Sequence, residues 1–160
     1  MALLEVSHLG VGFRSIDGEK DKTAVDDVSF VLNAGEVLGV VGESGSGKSV
    51  TALSILGLLP YPKAFHTPES SIKLAGRELI GASEDELRQV RGNEIAFVFQ
   101  EPMSSLNPLH TIEKQISETL ILHRQLSEKE AKKEVLRLLN ITGIKNARAR
   151  MKAYPFELSG

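Results

Sequence analysis

The spacing of apolar and polar positions changes along this chain. The first third reads as β, with alternation clearest over residues 24–32. Leu3-Leu4-Glu5-Val6 opens a strand, and Ala24-Val25-Asp26-Asp27-Val28-Ser29-Phe30-Val31-Leu32 predicts a second, half-buried one. The polar stretch 15–22 between them reads as a hairpin-like loop with Gly18 as its turn residue, and Asn33-Ala34-Gly35 as a further turn. Residues 37–41, Val-Leu-Gly-Val-Val, are continuously apolar, which predicts a strand buried on both faces. A helix is expected over 50–59, stopped by Pro60, then a loop over 61–70 and an edge strand at Ser71-Ile72-Lys73-Leu74. Residues 94–99 predict a second buried strand.

Further along, the period becomes helical. Ser83 and Glu86 have the spacing of a capping box, as do Ser127 and Glu130. After Pro108, Ile112, Ile116 and Leu120 share one helix face; Ala131, Val135, Leu138 and Leu139 share another. The pattern is α/β first and all-α afterwards.

Composition narrows the class. The chain has 160 residues, 41% apolar and 25% charged, as a globular domain does. No cysteine is present, which excludes a disulfide framework, a thiolate metal site and a cysteine nucleophile within these residues. The net charge of -2 argues against nucleic acid as a partner. No apolar run approaches the roughly 20 residues that span a bilayer, and the first ten residues lack a basic signal-peptide start. Charge is uneven: residues 124–152 hold 9 basic against 3 acidic side chains. Such a run is a solvated helix face or a surface that meets a membrane protein or anionic headgroups.

Chemistry enters at Gly42-Glu43-Ser44-Gly45-Ser46-Gly47-Lys48-Ser49, which fits Gly-x-x-x-x-Gly-Lys-Ser/Thr between a predicted strand and a predicted helix. A loop that wraps a phosphate must turn successive backbone N–H groups inward, and the three glycines permit that. The helix N-terminus adds free donors and a positive dipole end. Lys48 supplies a point charge for β- and γ-phosphates, Ser49 a hydroxyl for Mg²⁺, and Val50 a backbone N–H. Gln100 follows the second predicted buried strand, at the sheet edge where ligands bind in open α/β folds. Taken alone, it could equally be a surface-loop residue.

Together these residues resemble an ABC transporter ATPase. Gly42 to Ser49 correspond to the Walker A loop, Gln100 to the Q-loop glutamine, and Leu158-Ser159-Gly160 to the start of the LSGGQ signature. Residues 99–108 and Tyr154-Pro155-Phe156-Glu157 are similar to segments of the dipeptide and oligopeptide importers. Residues 42–60 and 90–115 resemble the first half of the tandem ATPase in Yej-type importers of oligopeptides and microcin C.

The resemblance implies a P-loop NTPase fold with an antiparallel β subdomain and an α-helical subdomain. It divides the chain into a nucleotide-binding core over 1–100 and a helical subdomain over 101–160. It implies ATP and Mg²⁺, with Ser49 and Gln100 on the metal, Lys48 and Gln100 catalytic, and Phe13 stacking on adenine next to Val25. Ser159 and Gly160 would contact the γ-phosphate of the opposite site in an ATP-sandwich dimer. Permease subunits would dock on the helical subdomain and Q-loop, and a periplasmic peptide-binding protein would act indirectly. The location implied is the cytoplasmic face of a bacterial inner membrane.

The family's Walker B strand and catalytic glutamate follow the signature. The chain is therefore expected to be an amino-terminal fragment, inactive alone, with a sheet missing its middle strands. The alternatives are a non-transport ABC ATPase, a P-loop kinase and a nucleotide-binding-only module.

Overall fold

A computed structural model describes residues 2–15, 20–101 and 105–158. They fall into two compact units, Met1–Arg91 and Gly92–Gly160.

The first unit is built on β1 (Ala2–Phe13) and β2 (Lys22–Asn33), a long antiparallel pair. With β3 (Ala64–His66), β4 (Ser71–Leu74) and β5 (Arg77–Glu78) they make one sheet, in the order β2-β1-β4-β5, and β3 also pairs with β1. The alternation predicted for 24–32 holds from Val28 onward in β2, with Val25 buried and Asp26 and Asp27 facing water, whereas β1 is buried continuously over residues 9–12. The β1–β2 register shifts several times. At those irregularities His8 and Asp27 adopt left-handed backbone angles and join side chains, Nδ1 to Oδ1, at 2.8 Å. Gly12 is required by close approach, since a Cβ there would lie 2.3 Å from the Phe65 ring on β3.

Two helices complete this unit, α1 (Lys48–Ile55) and α2 (Glu84–Val90). The capping box predicted at Ser83 and Glu86 is formed. Arg91 ties the two helices together. It donates to the Leu56 carbonyl at 2.8 Å and the Gly57 carbonyl at 2.9 Å, and pairs with Glu84 at 2.7 Å.

Five sequence expectations are corrected in this unit and the next. Residues 37–41 form no strand; Val37 is 98% exposed and Val41 92%. A buried-type strand needs ladder partners for its N–H and C=O groups, and none lies against this run among the described residues. The same holds for residues 94–99, where Val98 is 85% exposed and Phe99 packs edge-on against Phe97. The helix expected over 50–59 ends at Ile55, because Gly57 takes φ +60° and bonds back to the Ser54 carbonyl, well ahead of Pro60. The loop 61–70 contains β3, and β4 is interior, lying between β1 and β5. The predicted turn residue Gly18 lies outside the described residues.

The second unit is helical: α3 (Ile112–Arg124), α4 (Glu128–Ile141), α5 (Ala147–Arg150) and a final 3-10 turn, Pro155–Glu157. Ile112, Leu120, Ala131, Val135, Leu139, Ala147 and Met151 make its core. Both predicted apolar helix faces are therefore the packed ones. Ser127 and Glu130 complete the second capping box, and the hydrogen bonds from Ser127 hold the Glu130 carboxyl below its ordinary pKa. The chain beyond α5 also caps α3: the N–H groups of Ile112 and Glu113 donate to the carbonyls of Ala153 and Met151.

Candidate functional site

The P-loop lies in the first unit, between the unpaired run 37–41 and α1. Gly45 and Gly47 have φ +84° and +90°, values that ordinary side chains resist. Gly47 is also sterically fixed, because a Cβ would sit 2.7 Å from the Ala24 carbonyl oxygen and 3.1 Å from Val25 Cγ2. The β2 strand thus backs the loop. Val25 is 5% exposed and supports Gly47 from below.

Gly47 is the N-cap of α1 and offers no side-chain acceptor to the first turn. The N–H groups of the first turn have no intrahelical partner, and they carry the positive end of the helix dipole. Lys48 folds back over the loop and donates to the carbonyls of Gly42 and Glu43, each at 2.7 Å, and to Ser46 Oγ at 3.2 Å. These acceptors fix its position without neutralising it: no carboxylate pairs with Lys48 among the described residues. A positioned ammonium without a counter-charge, beside uncapped N–H groups, is an arrangement that takes up an anion. Glu43, Ser44 and Ser49 are exposed on the loop, and Val50 sits half-buried behind it.

The other expected residues lie on other segments of the chain. Phe13 ends β1, partly exposed, opposite Lys22 on β2 and Ala64 on β3. Gln100 belongs to the second unit and is exposed. Ser159 and Gly160 lie outside the described residues. Sequence reading missed the Ala24 carbonyl as the wall behind Gly47; a backbone oxygen leaves no residue-type signal. It also missed Arg91, whose partners lie on two segments remote in sequence, Leu56-Gly57 and Glu84. Among the described residues no group of three His, Asp or Glu side chains is placed to hold a metal, and no helix is long and apolar enough to cross a membrane.

A glycine-turned loop that feeds an uncapped helix beside an antiparallel sheet defines a nucleotide-binding cassette of the P-loop kind. Residues 25–160 match the ABC transporter family, and the chain belongs to it. It is 54% identical over 158 residues to the peptidoglycan transport ATP-binding protein YejF of Agrobacterium fabrum, covering 99% of this chain and 28% of that protein. The oligopeptide transport ATP-binding protein OppD of Escherichia coli is 46% identical over 159 residues, with 99% of this chain and 46% of that protein covered. Among solved structures, the dimeric bacterial ABC transporter cassette MJ0796 superposes with a TM-score of 0.79 at 28% identity, covering 98% of this chain and 63% of that one. A post-hydrolysis form of the same cassette is bound to ADP and Pi. The chain thus spans between 28% and 46% of the length of these curated relatives.

Proposed function

We propose that this chain is the nucleotide-binding portion of an ABC transporter ATPase that couples ATP hydrolysis to peptide import across the cytoplasmic membrane. The observation that carries the reading is the P-loop: Lys48 held by three oxygen acceptors, with no carboxylate partner among the described residues, at the uncapped start of α1. Similarity to transport ATP-binding proteins of the YejF and OppD type supports the transport part.

In this mechanism the loop N–H groups from Gly42 to Ser49 cradle the phosphates, and Val50 N–H extends the cradle. Lys48 offsets charge on the β- and γ-oxygens. Phosphoryl transfer to water is then a matter of positioning and charge stabilisation. Mg²⁺ would be held by Ser49, an exposed hydroxyl in the first turn of α1, and by Gln100, and would supply charge neutralisation at the leaving and transferred oxygens. A hydroxyl and an amide oxygen are hard donors, the type that Mg²⁺ prefers. Gln100 would also orient the attacking water. Phe13 stacks on adenine, with Val25 supporting both that contact and the loop.

Ser159 and Gly160 complete the opposite site when two cassettes sandwich ATP. Permease subunits dock on the helical unit and the Q-loop, and a periplasmic peptide-binding protein delivers substrate to them. The protein is then peripheral on the inner face of the membrane. The boundary between the core over 1–100 and the helical subdomain over 101–160 remains part of this proposal.

The test is reconstitution of the full-length protein with its permease in proteoliposomes. ATP-dependent peptide uptake that Lys48→Ala abolishes is the expected result. ATP binding without permease-stimulated turnover would overturn the transport reading.

A further inference from the structure

The first unit carries a cavity of about 400 Å³ that shares no residue with the P-loop. It lies between the C-terminal end of α1, Tyr61, the end of β3, the segment 79–82 and the first turn of α2. Small-molecule sites occupy roughly 300–1,000 Å³, are mostly apolar and present a few polar groups. Leu79 and Leu87 supply buried apolar wall here, and Ala82 is half-buried.

Ser54 is the unusual group on this wall. It lies in the last turn of α1 and is 3% exposed, yet its Oγ has no hydrogen-bond partner among the described residues. A helical serine ordinarily bonds back to a carbonyl one turn earlier. A buried hydroxyl left unpartnered is destabilising, and native proteins keep few of them. Tyr61 and His66 are the other polar groups, with ring centroids 5.7 Å apart. The Tyr61 hydroxyl is 3.3 Å from Nε2 of His66 and 3.4 Å from Nδ1. One hydroxyl does not serve both nitrogens along their lone pairs, so one nitrogen keeps its capacity for another molecule. Burial lowers the His66 pKa and raises that of Tyr61, so the imidazole and the phenol both stay neutral.

Charge defines the occupant. Among the described lining residues Glu84 alone is ionised at neutral pH, and Arg91 takes its carboxylate at 2.7 Å. The same guanidinium holds the Leu56 and Gly57 carbonyls, so the end of α1 and the start of α2 are tied together and the space between them is preformed. What remains is a hydroxyl, a phenol and an imidazole, which offer hydrogen bonds without net charge. An ion entering such walls would lose its hydration and gain no counter-charge. We infer that this cavity binds a small neutral molecule with a flat, partly apolar body and one amide or hydroxyl group. The polar group bonds to Ser54 Oγ, and the body lies against Leu79, Leu87 and the Tyr61–His66 pair. This site goes beyond the nucleotide reading and does not depend on it.

The experiment uses the full-length protein and three probes of one shape: benzamide, benzoate and benzamidinium, which are neutral, anionic and cationic. Binding is followed by ligand-observed NMR titration with ATP saturating, so that the nucleotide site is filled. Benzamide should saturate with a Kd on the order of 1 mM, about tenfold or more tighter than either ion. Ser54→Ala should weaken it about fivefold, the loss of one hydrogen bond. Ala82→Phe, which fills the cavity from a half-buried position, should abolish it. Thermal melts and ATP affinities equal to those of the unaltered protein establish that both variants fold. Absence of saturation well above the expected Kd would overturn the inference and leave the cavity to water. Equal affinity for the three probes, or unaltered benzamide binding in both variants, would overturn it as well. So would benzamide binding seen only without ATP, which would assign the probe to the nucleotide site.

Discussion

Lys48→Ala isolates the electrostatic content of the P-loop. In the free protein the ammonium makes contacts of 2.7, 2.7 and 3.2 Å to Gly42 O, Glu43 O and Ser46 Oγ. The loop is exposed around these acceptors, so water replaces the lost donor and fold stability changes little. The cost falls on the bound state. A charge-assisted contact to phosphate is worth about 1.5–3 kcal/mol, which is roughly a 10- to 150-fold loss of ATP affinity. Lys48→Arg should not rescue fully, because a planar fork does not reproduce a compact point charge seated among three loop oxygens. Calorimetric titration of the full-length protein with ATP, beside a thermal melt, separates the two effects. ATP affinity and turnover both equal to the unaltered protein would refute the reasoning, and so would a lost affinity explained by a collapsed melt.

Four further outcomes follow from the same geometry. Gly47→Ala forces a φ of +90° on a residue with a Cβ and drives it to 2.7 Å from the Ala24 carbonyl, so it should lower the melting temperature and ATP affinity together; an unchanged melt would contradict the wall behind the loop. Phe13→Ala should weaken ATP binding by roughly 1–3 kcal/mol, the value of base stacking, while leaving pyrophosphate binding alone; equal losses for both ligands would return Phe13 to a packing role. Gln100→Ala should lower kcat far more than ATP affinity, since an amide that positions water acts on the transition state; a change in KM alone would contradict it. Burial pushes the Glu78 carboxyl up, but hydrogen bonds from Ser71 and the N–H groups of Ile72, Ile80 and Leu79 outweigh it and leave the pKa lowered. Its stabilisation is therefore present above the ordinary carboxylate range and is lost as pH falls through the depressed value. Glu78→Gln should flatten the acid limb of a stability titration, and an identical limb would refute this.

What the sequence disclosed depends on how local the determining interactions are. Ser83 with Glu86 and Ser127 with Glu130 close hydrogen bonds within three residues, so two helix starts were legible to the residue. The P-loop was legible for a related reason: its glycines, lysine and first helical turn are consecutive, and their chemistry is set by the backbone they share. β2 showed through its alternation, because one face of it is buried within the same unit. By contrast, Val37 to Val41 and the run ending at Phe99 have strand composition without strand structure. Hydrophobic, β-branched residues favour an extended chain only when neighbouring strands take up the backbone donors and acceptors. That condition belongs to other segments, and it is unmet among the described residues. Gln100 depends on it in turn. Its expected place at a sheet edge presupposes a strand beneath it, so its role rests on family likeness and on the kinetics of Gln100→Ala. Lys48 needs no such support: its acceptors lie within six residues of it, and they leave its charge without a carboxylate among the described residues.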